Sequence, residues 1–385
     1  MRFLRTVPTR RLLVLIWSLA IACAAGTAIA VAAAGNGPVP KPRPLAVAIH
    51  RAITAPSVAG VSARVTFTNN LVSSDLVQGT DPLLSGATGR LWATADHLRL
   101  ELQSSLGDAQ LVVDKNAVWA YDPAQDTVYE ATLPADRTKS KTKVHEKPAA
   151  IPTVAQIQRE LNRLASHLGI SRAIPTDVGG RPAYRVVVSP KPAAGLIGDV
   201  QLAWDAARGL PLDFAIYARG SSTPALELKA TNISYGRVSK SVFALKPPAG
   251  AKVVQLTSSS TKASATRPTR TYTYFSPAAP KHAGGLALTK RHLFAGGALL
   301  AYGKGLGGVY VLEHAGAKRT AALPTAPASG DGPGLMLPTL SVNGVTAQEL
   351  PTALGTIIQF TRSGISYLVF GSVPPATAAA VARAL

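Results

Sequence analysis

Residues 61–68 read Val-Ser-Ala-Arg-Val-Thr-Phe-Thr, a stretch whose hydrophobic period is two. Val61, Ala63, Val65 and Phe67 alternate with Ser62, Arg64, Thr66 and Thr68, so an extended chain places the apolar set on one side. The same alternation continues downstream. Gly89–Thr94 is followed by Leu98, Leu100 and Leu102 set against Arg99, Glu101 and Gln103, and then by 110–113, 117–121 and 127–132. Gly107-Asp108, Asp114-Lys115-Asn116 and Asp122-Pro123 separate these runs as turns. Short strands joined by tight turns make an antiparallel meander. Strands resume at 183–189, 200–205, 212–219 and 225–234, where Leu226, Leu228 and Ala230 alternate with Glu227, Lys229 and Thr231.

Two segments change period. Leu45, Ala48, Ile49, Ala52 and Ile53 recur at helical spacing, which predicts a short amphipathic helix over 44–54. Thr153 with Gln156 three residues on is a capping box, and Val154, Ile157, Leu161, Leu164 and Leu168 follow as one stripe, with Gly169 as the stop. Gln158, Arg159, Asn162 and Arg163 occupy the opposite side. The apolar stripe is expected to lie on the sheet.

Upstream, Arg2, Arg5, Arg10 and Arg11 precede an apolar run from Leu12 to Ala34. At roughly 23 residues it is long enough to span a bilayer. The arginines are expected to stay in the cytoplasm, with everything after Gly35 outside, in the cell envelope. Cleavage after Ala28-Ile29-Ala30 or Ala30-Val31-Ala32, retention as a signal anchor, and lipidation at Cys23 all stay open. Cys23 is the only cysteine, so the exported part has no disulfide, thiol nucleophile or cysteine metal site.

The expected organisation is a signal or membrane anchor (1–34), a Pro-rich spacer (35–44), a main domain (45–255), a Ser/Thr-rich linker (256–270) and a smaller α+β domain (271–385). In the last, 271–275, 299–303, 309–314, 339–342, 356–361 and 365–370 read as strands. Residues 322–338 read as a Gly/Pro-rich loop, and Pro374-Pro375 opens a final Ala-rich helix with Thr377, Val381 and Leu385 as its stripe.

Composition narrows the function. The 385 residues carry 40 Lys and Arg against 20 Asp and Glu, a formal charge of +20. Such a balance suits nucleic acid or an anionic membrane surface. Basic residues are not interleaved with aromatics in a compact patch, which argues against nucleic acid. The densest run, Arg137 to Lys147, sits among Ser, Thr and Pro as a solvated loop or one lying on acidic headgroups. The seven histidines form no HxxxH or HxH pair, so no metal site is expected. Asp96 and His97 read as a surface pair before a strand. There is no GxSxG elbow. Gly303-Lys304-Gly305-Leu306-Gly307-Gly308 fits GxGxxG, but Val309 opens a strand and not a helix, so it reads as a hairpin turn. Asn232-Ile233-Ser234 is a sequon by pattern, expected in a strand. No catalytic residue and no cofactor is assigned.

Several motifs carry a resemblance. Trp204-Asp205, Gly209-Leu210-Pro211-Leu212, Ile233-Ser234-Tyr235-Gly236, Ser241-Val242-Phe243 and Pro247-Pro248-Ala249-Gly250-Ala251 resemble the lipoprotein-carrier superfamily (LolA/LolB-like), closest to its two-domain sigma-factor regulatory branch (RseB/MucB-like). Val113-Asp114, Trp119 to Pro123 and Val128-Tyr129 fit the same pattern, and the resemblance covers roughly 45–255. It implies an α+β chain whose N-terminal domain is an unclosed antiparallel half-barrel covered by helices, with a smaller C-terminal domain. It also implies a lipid or lipoprotein acyl chain in the cavity and, in the regulator branch, a membrane anti-sigma factor as partner.

The expected cavity residues are Val65, Phe67, Leu91, Leu100, Leu102, Val112, Trp119, Tyr121, Ile157, Leu161, Leu164, Leu202, Phe214 and Leu228. Trp119 and Tyr121 share one strand side and are expected near Phe67 and Leu100. The alternatives are an extracytoplasmic protein-interaction module with no lipid, whose sheet is merely core, and, third, an enzyme.

Overall fold

The computed structural model describes residues 37–78, 81–105, 107–132, 151–192, 194–255, 277–294, 296–315 and 334–385. The N-terminal apolar run, Cys23, the basic loop, the linker and the expected strand at 271–275 lie outside these residues. Among the described residues no helix is long and apolar enough to cross a membrane.

The chain is α+β. Its helices are α1 (Leu45–Thr54), α2 (Pro82–Ser85), α3 (Val154–Leu164) and α4 (Pro375–Arg383). The first fourteen strands are β1 (Val61–Asn69), β2 (Val77–Gln78), β3 (Ala87–Ala93), β4 (His97–Leu102), β5 (Ala109–Asp114), β6 (Ala117–Asp122), β7 (Thr127–Thr132), β8 (Leu168–Ile170), β9 (Ile174–Val178), β10 (Arg181–Pro190), β11 (Ile197–Asp205), β12 (Pro211–Ala218), β13 (Pro224–Tyr235) and β14 (Lys252–Gln255). They are followed by β15 (His282–Ala283), β16 (Leu286–Phe294), β17 (Gly297–Tyr302), β18 (Val309–Ala315), β19 (Gly334–Leu335), β20 (Thr339–Val342), β21 (Val345–Thr352), β22 (Gly355–Arg362) and β23 (Ile365–Gly371).

Two compact units result. The first contains one sheet in the order β14-β7-β6-β5-β4-β3-β1-β13-β12-β11-β10-β8, with β9 on the far part of β10. Its two ends do not pair, so the sheet is an unclosed half-barrel. It is antiparallel apart from β14, which joins β7 in parallel. Irregular register at Arg64/Val65 and at Ile216/Tyr217 bends it. Gly89 allows a close approach as well: a Cβ there would run into the Glu101 carbonyl. Helix α1 covers one end, packing Leu45, Ala48, Ile49 and Ala52 against Tyr184, Val186, Val188 and Trp204.

Helix α3 departs from expectation in two ways. Its capping box forms, with the Gln156 amide donating to Thr153 Oγ1 (3.3 Å) and the Thr153 amide to Gln156 Oε1 (2.7 Å). The helix ends at Leu164, however, and Leu168-Gly169-Ile170 forms β8 against Ser189 and its neighbours. Its main packing partner is α1: the stripe buries only Ile157, while Leu164 is 45% exposed.

Of the described residues, the second unit takes in 70–78, 194–197 and those from 277 onward. Its main sheet runs β15-β16-β17-β18-β23-β22-β21-β20, and β2 pairs with β19. Ala378, Ala379, Val381 and Ala382 of α4 pack with Leu300, Tyr302, Val311, Ile358 and Val369 to form the core. Thr377 of the expected stripe is not among the helix's buried residues; small alanines let the helix seat closely on the sheet. The GxGxxG run joins antiparallel β17 and β18, as its strand context requires. Asn232-Ile233-Ser234 lies within β13.

Candidate functional site

Register decides which expected cavity residues share a wall, because residues directly opposite on paired strands point to the same side. Phe214 faces Leu228, which faces Phe67. Ala63 faces Leu91, Leu91 faces Leu100, Leu100 faces Leu111, Leu111 faces Ala120, and Ala120 faces Tyr129. Val65 and Leu102 both face Gly89 on this side. Val65, Leu102 and Ala109 are buried there, with Phe67, Leu91, Leu100 and Leu228 half-buried around them. An apolar wall thus runs across β12, β13 and β1 and then β3 to β7.

Val112, Trp119 and Tyr121 lie on the other side. Trp92 faces Arg99, Arg99 faces Val112, and Val112 faces Trp119; Glu101 faces Gln110, which faces Tyr121. Trp119 and Tyr121 are therefore not neighbours of Phe67 and Leu100, contrary to expectation. This second side carries charged groups around the buried Val112 and Val128. The Arg99 guanidinium stacks on Trp92 (4.9 Å), pairs with Glu101 and donates to the Val242 carbonyl (3.2 Å). His97 stacks on Phe243 (5.2 Å) and pairs with Asp114 (3.1 Å), so its partner lies across the β4–β5 pair and is not Asp96. Tyr121 donates to Asp126 (3.0 Å).

The remaining expected residues stand near the helices. Leu202 faces Val186 beneath α1. Ile157 is buried, and Leu161 lines a recess of about 240 Å³ with Leu45, Ile170 and Arg172. A neighbouring recess of about 320 Å³ is lined by Pro42, Arg43, Pro44, Arg172, Ala173 and Pro175. Neither recess belongs to the β3–β7 wall. No group of three His, Cys, Asp or Glu side chains is placed to hold a metal ion among the described residues.

Sequence reasoning passed over a buried charge cluster. Arg185 donates to Asp213 (3.3 Å) with both side chains largely out of solvent. Burial pushes the Asp213 carboxyl up despite Arg185 and Lys229, and it pushes up Glu227 and the Tyr217 hydroxyl beside it. The signal was present in the alternation, since Asp213 stands between Leu212 and Phe214 inside a strand. A second buried acid pair, Asp81 and Asp122, behaves alike: burial raises both, and Asp81 raises Asp122 further.

The motif carrying the resemblance has a physical account. Asp205 Oδ1 accepts from the amides of Ala207 (2.8 Å) and Arg208 (2.7 Å), capping the turn between β11 and β12. Its Oδ2 accepts from the Tyr235 hydroxyl (2.6 Å). Gly209 has φ 66°, and a Cβ there would enter the Ala52 backbone of α1, so this turn fixes how closely the helix seats.

No family model and no curated protein matches the chain. Solved structures similar to it include the MucA/MucB complex of Pseudomonas aeruginosa (15% identity, TM-score 0.39, covering 88% of this chain and 94% of that one). A crystal structure of MucB is similar at 16% identity and TM-score 0.37, covering 88% and 96%. A putative outer membrane lipoprotein-sorting protein domain from Vibrio parahaemolyticus is similar at 11% identity and TM-score 0.23, covering 52% of this chain and 96% of that domain.

Proposed function

We propose that this chain is a non-catalytic protein of the cell envelope that holds a hydrocarbon chain, from a lipid or a lipoprotein, on the apolar wall of its half-barrel. Its role is that of a regulator or carrier, and a membrane anti-sigma factor is the partner the sequence resemblance implies. The observation that carries the reading is the wall itself. Phe214, Leu228 and Phe67 form one apolar row by register and Ala63, Leu91, Leu100 and Leu111 a second on the same side of the sheet, and both stay partly accessible. Each methylene laid on such a wall gains about 0.8 kcal/mol, so a long tail needs no polar anchor. The test is extraction of the purified protein followed by mass spectrometry, with displacement of a fluorescent fatty acid as a second readout. Co-purifying lipid and a saturable probe site are expected; lipid-free protein blind to the probe would overturn the reading.

A second reading, a protein-interaction module with no lipid, is favoured by one observation: the two recesses of 240 and 320 Å³ lie beside the helices and away from the β3–β7 wall. Ala120→Phe separates the two, since Ala120 is on the wall. It abolishes probe binding under the first reading. Under the second it costs only about 1–3 kcal/mol of stability.

A further inference from the structure

The outer edge of β16 is open over most of its length among the described residues. Among the described residues, β15 covers only its start, through Leu286 and Ala287, and the Leu288 amide donates to the Lys281 carbonyl (2.9 Å). Beyond that point the strand pairs with β17 alone. Every residue from Thr289 to Phe294 is exposed, including Leu293 (49%) and Phe294 (39%). Such an edge presents a row of backbone donors and acceptors for an added strand.

The side chains say which strand it accepts. Lys290, Arg291 and His292 are consecutive, and β16 contains no acid. A second copy of this edge would set like charges opposite each other, so self-pairing is disfavoured. A strand bringing acidic residues to Lys290 and Arg291 is favoured for the same reason. The next positions are apolar: the Phe294 ring lies over Gly297, where no side chain intervenes. Inward across the same side of the sheet run Leu299, Leu312 and Leu368 in one row, and the stacked Tyr310 and Phe370 rings (5.6 Å) in the next. An incoming strand therefore meets charge at one end and hydrocarbon at the other.

We propose that β16 is a docking edge for an extended acidic peptide segment, which adds as a ninth strand with acids facing Lys290 and Arg291 and apolar residues facing Leu293 and Phe294. The surface lies in the C-terminal sheet, so the inference goes beyond the lipid reading, and lipid capture can fail without touching it.

The test uses the full-length protein and a fluorescent octapeptide containing Val-Ile-Thr-Glu-Asp. A matched peptide with two lysines in place of the acids, and one with alternate backbone amides methylated, serve as controls. Binding of the acidic peptide is expected, weakened by salt, lost by about tenfold or more in the K290E/R291E variant, and regained there by the lysine peptide. K290Q/R291Q gives an intermediate loss without a reversed charge. Hydrogen exchange should slow within 289–294 when peptide is bound. Equal binding of the methylated peptide, protection mapping elsewhere, no binding at all, or occupation of the edge by another segment of this chain or by a second copy would each overturn the proposal.

Discussion

Glu313 stands directly opposite Tyr367 across the β18–β23 pair, wholly buried, and neither of its carboxylate oxygens finds a hydrogen-bond partner. The Tyr302 hydroxyl in the same core is equally buried and unpartnered. Burial pushes the Glu313 carboxyl up to about 7, with Arg362 pulling the other way, and burial with Glu313 nearby pushes Tyr302 up to about 12. A carboxyl raised above its unfolded value of 4.5 keeps a proton in the folded state that the unfolded state releases. Stability therefore falls as pH rises from about 4.5 to about 7 and levels off above, with a total loss on the order of 3 kcal/mol. Thermal unfolding of the second unit should show a midpoint lower at pH 8 than at pH 5. Glu313→Gln should remove most of that difference, and an unchanged pH profile in this variant would contradict the assignment.

The Arg185–Asp213 pair is buried enough that removing one member strands the other. Asp213→Ala is expected to cost about 3–5 kcal/mol, because the guanidinium is left in a site that already lacks a partner for Arg185 Nε. Replacing both residues with Met and Leu should recover most of the loss. Urea unfolding of the single and double variants checks this, and a double variant as weak as the single would show that the pair contributes more than mutual neutralisation.

The Thr153 hydroxyl closes one half of the α3 capping box. Thr153→Ala should destabilise the first unit by about 1 kcal/mol, and Thr153→Ser should restore it. Because α3 rests on α1 and exposes Leu164, the loss should be local. Hydrogen exchange along 154–164 should quicken while that of β3 to β6 stays as it was.

The strands around the expected cavity were legible because each alternates cleanly and is bounded by turn residues. Their faces were not, since the side taken by Val112 or Trp119 depends on how many residues the 103–108 connection consumes, and a shift of one flips the strand. Val112 is buried even on the side that carries charged groups, so hydrophobicity alone misassigned it to the wall. Strand β16 was missed for a related reason: Thr289 to His292 offer no apolar alternation, because an exposed edge has no core to face. Leu168-Gly169-Ile170 looked like a helix stop because glycine serves both ends, and only pairing with β10 makes it a strand. Glu313 was the most legible signal left unread: it follows Val309 and Val311 at the next inward position of β18.

The two sides of the half-barrel give the sharpest test of the lipid reading. Leu91 and Leu100 face each other on the apolar wall, while Trp119 projects from the opposite side beside Val112. All three are half-buried, so polar replacements at each carry comparable folding costs. Leu91→Gln with Leu100→Gln should abolish fluorescent fatty-acid binding, because the wall then presents amides where a tail would lie. Trp119→Gln should leave the probe affinity within about twofold, since a ligand on the wall never meets that side. Titration of folded variants, matched by their unfolding midpoints, decides the matter. Loss of binding in the Trp119 variant with retention in the leucine pair would move the ligand to that opposite side and refute the wall as the binding surface.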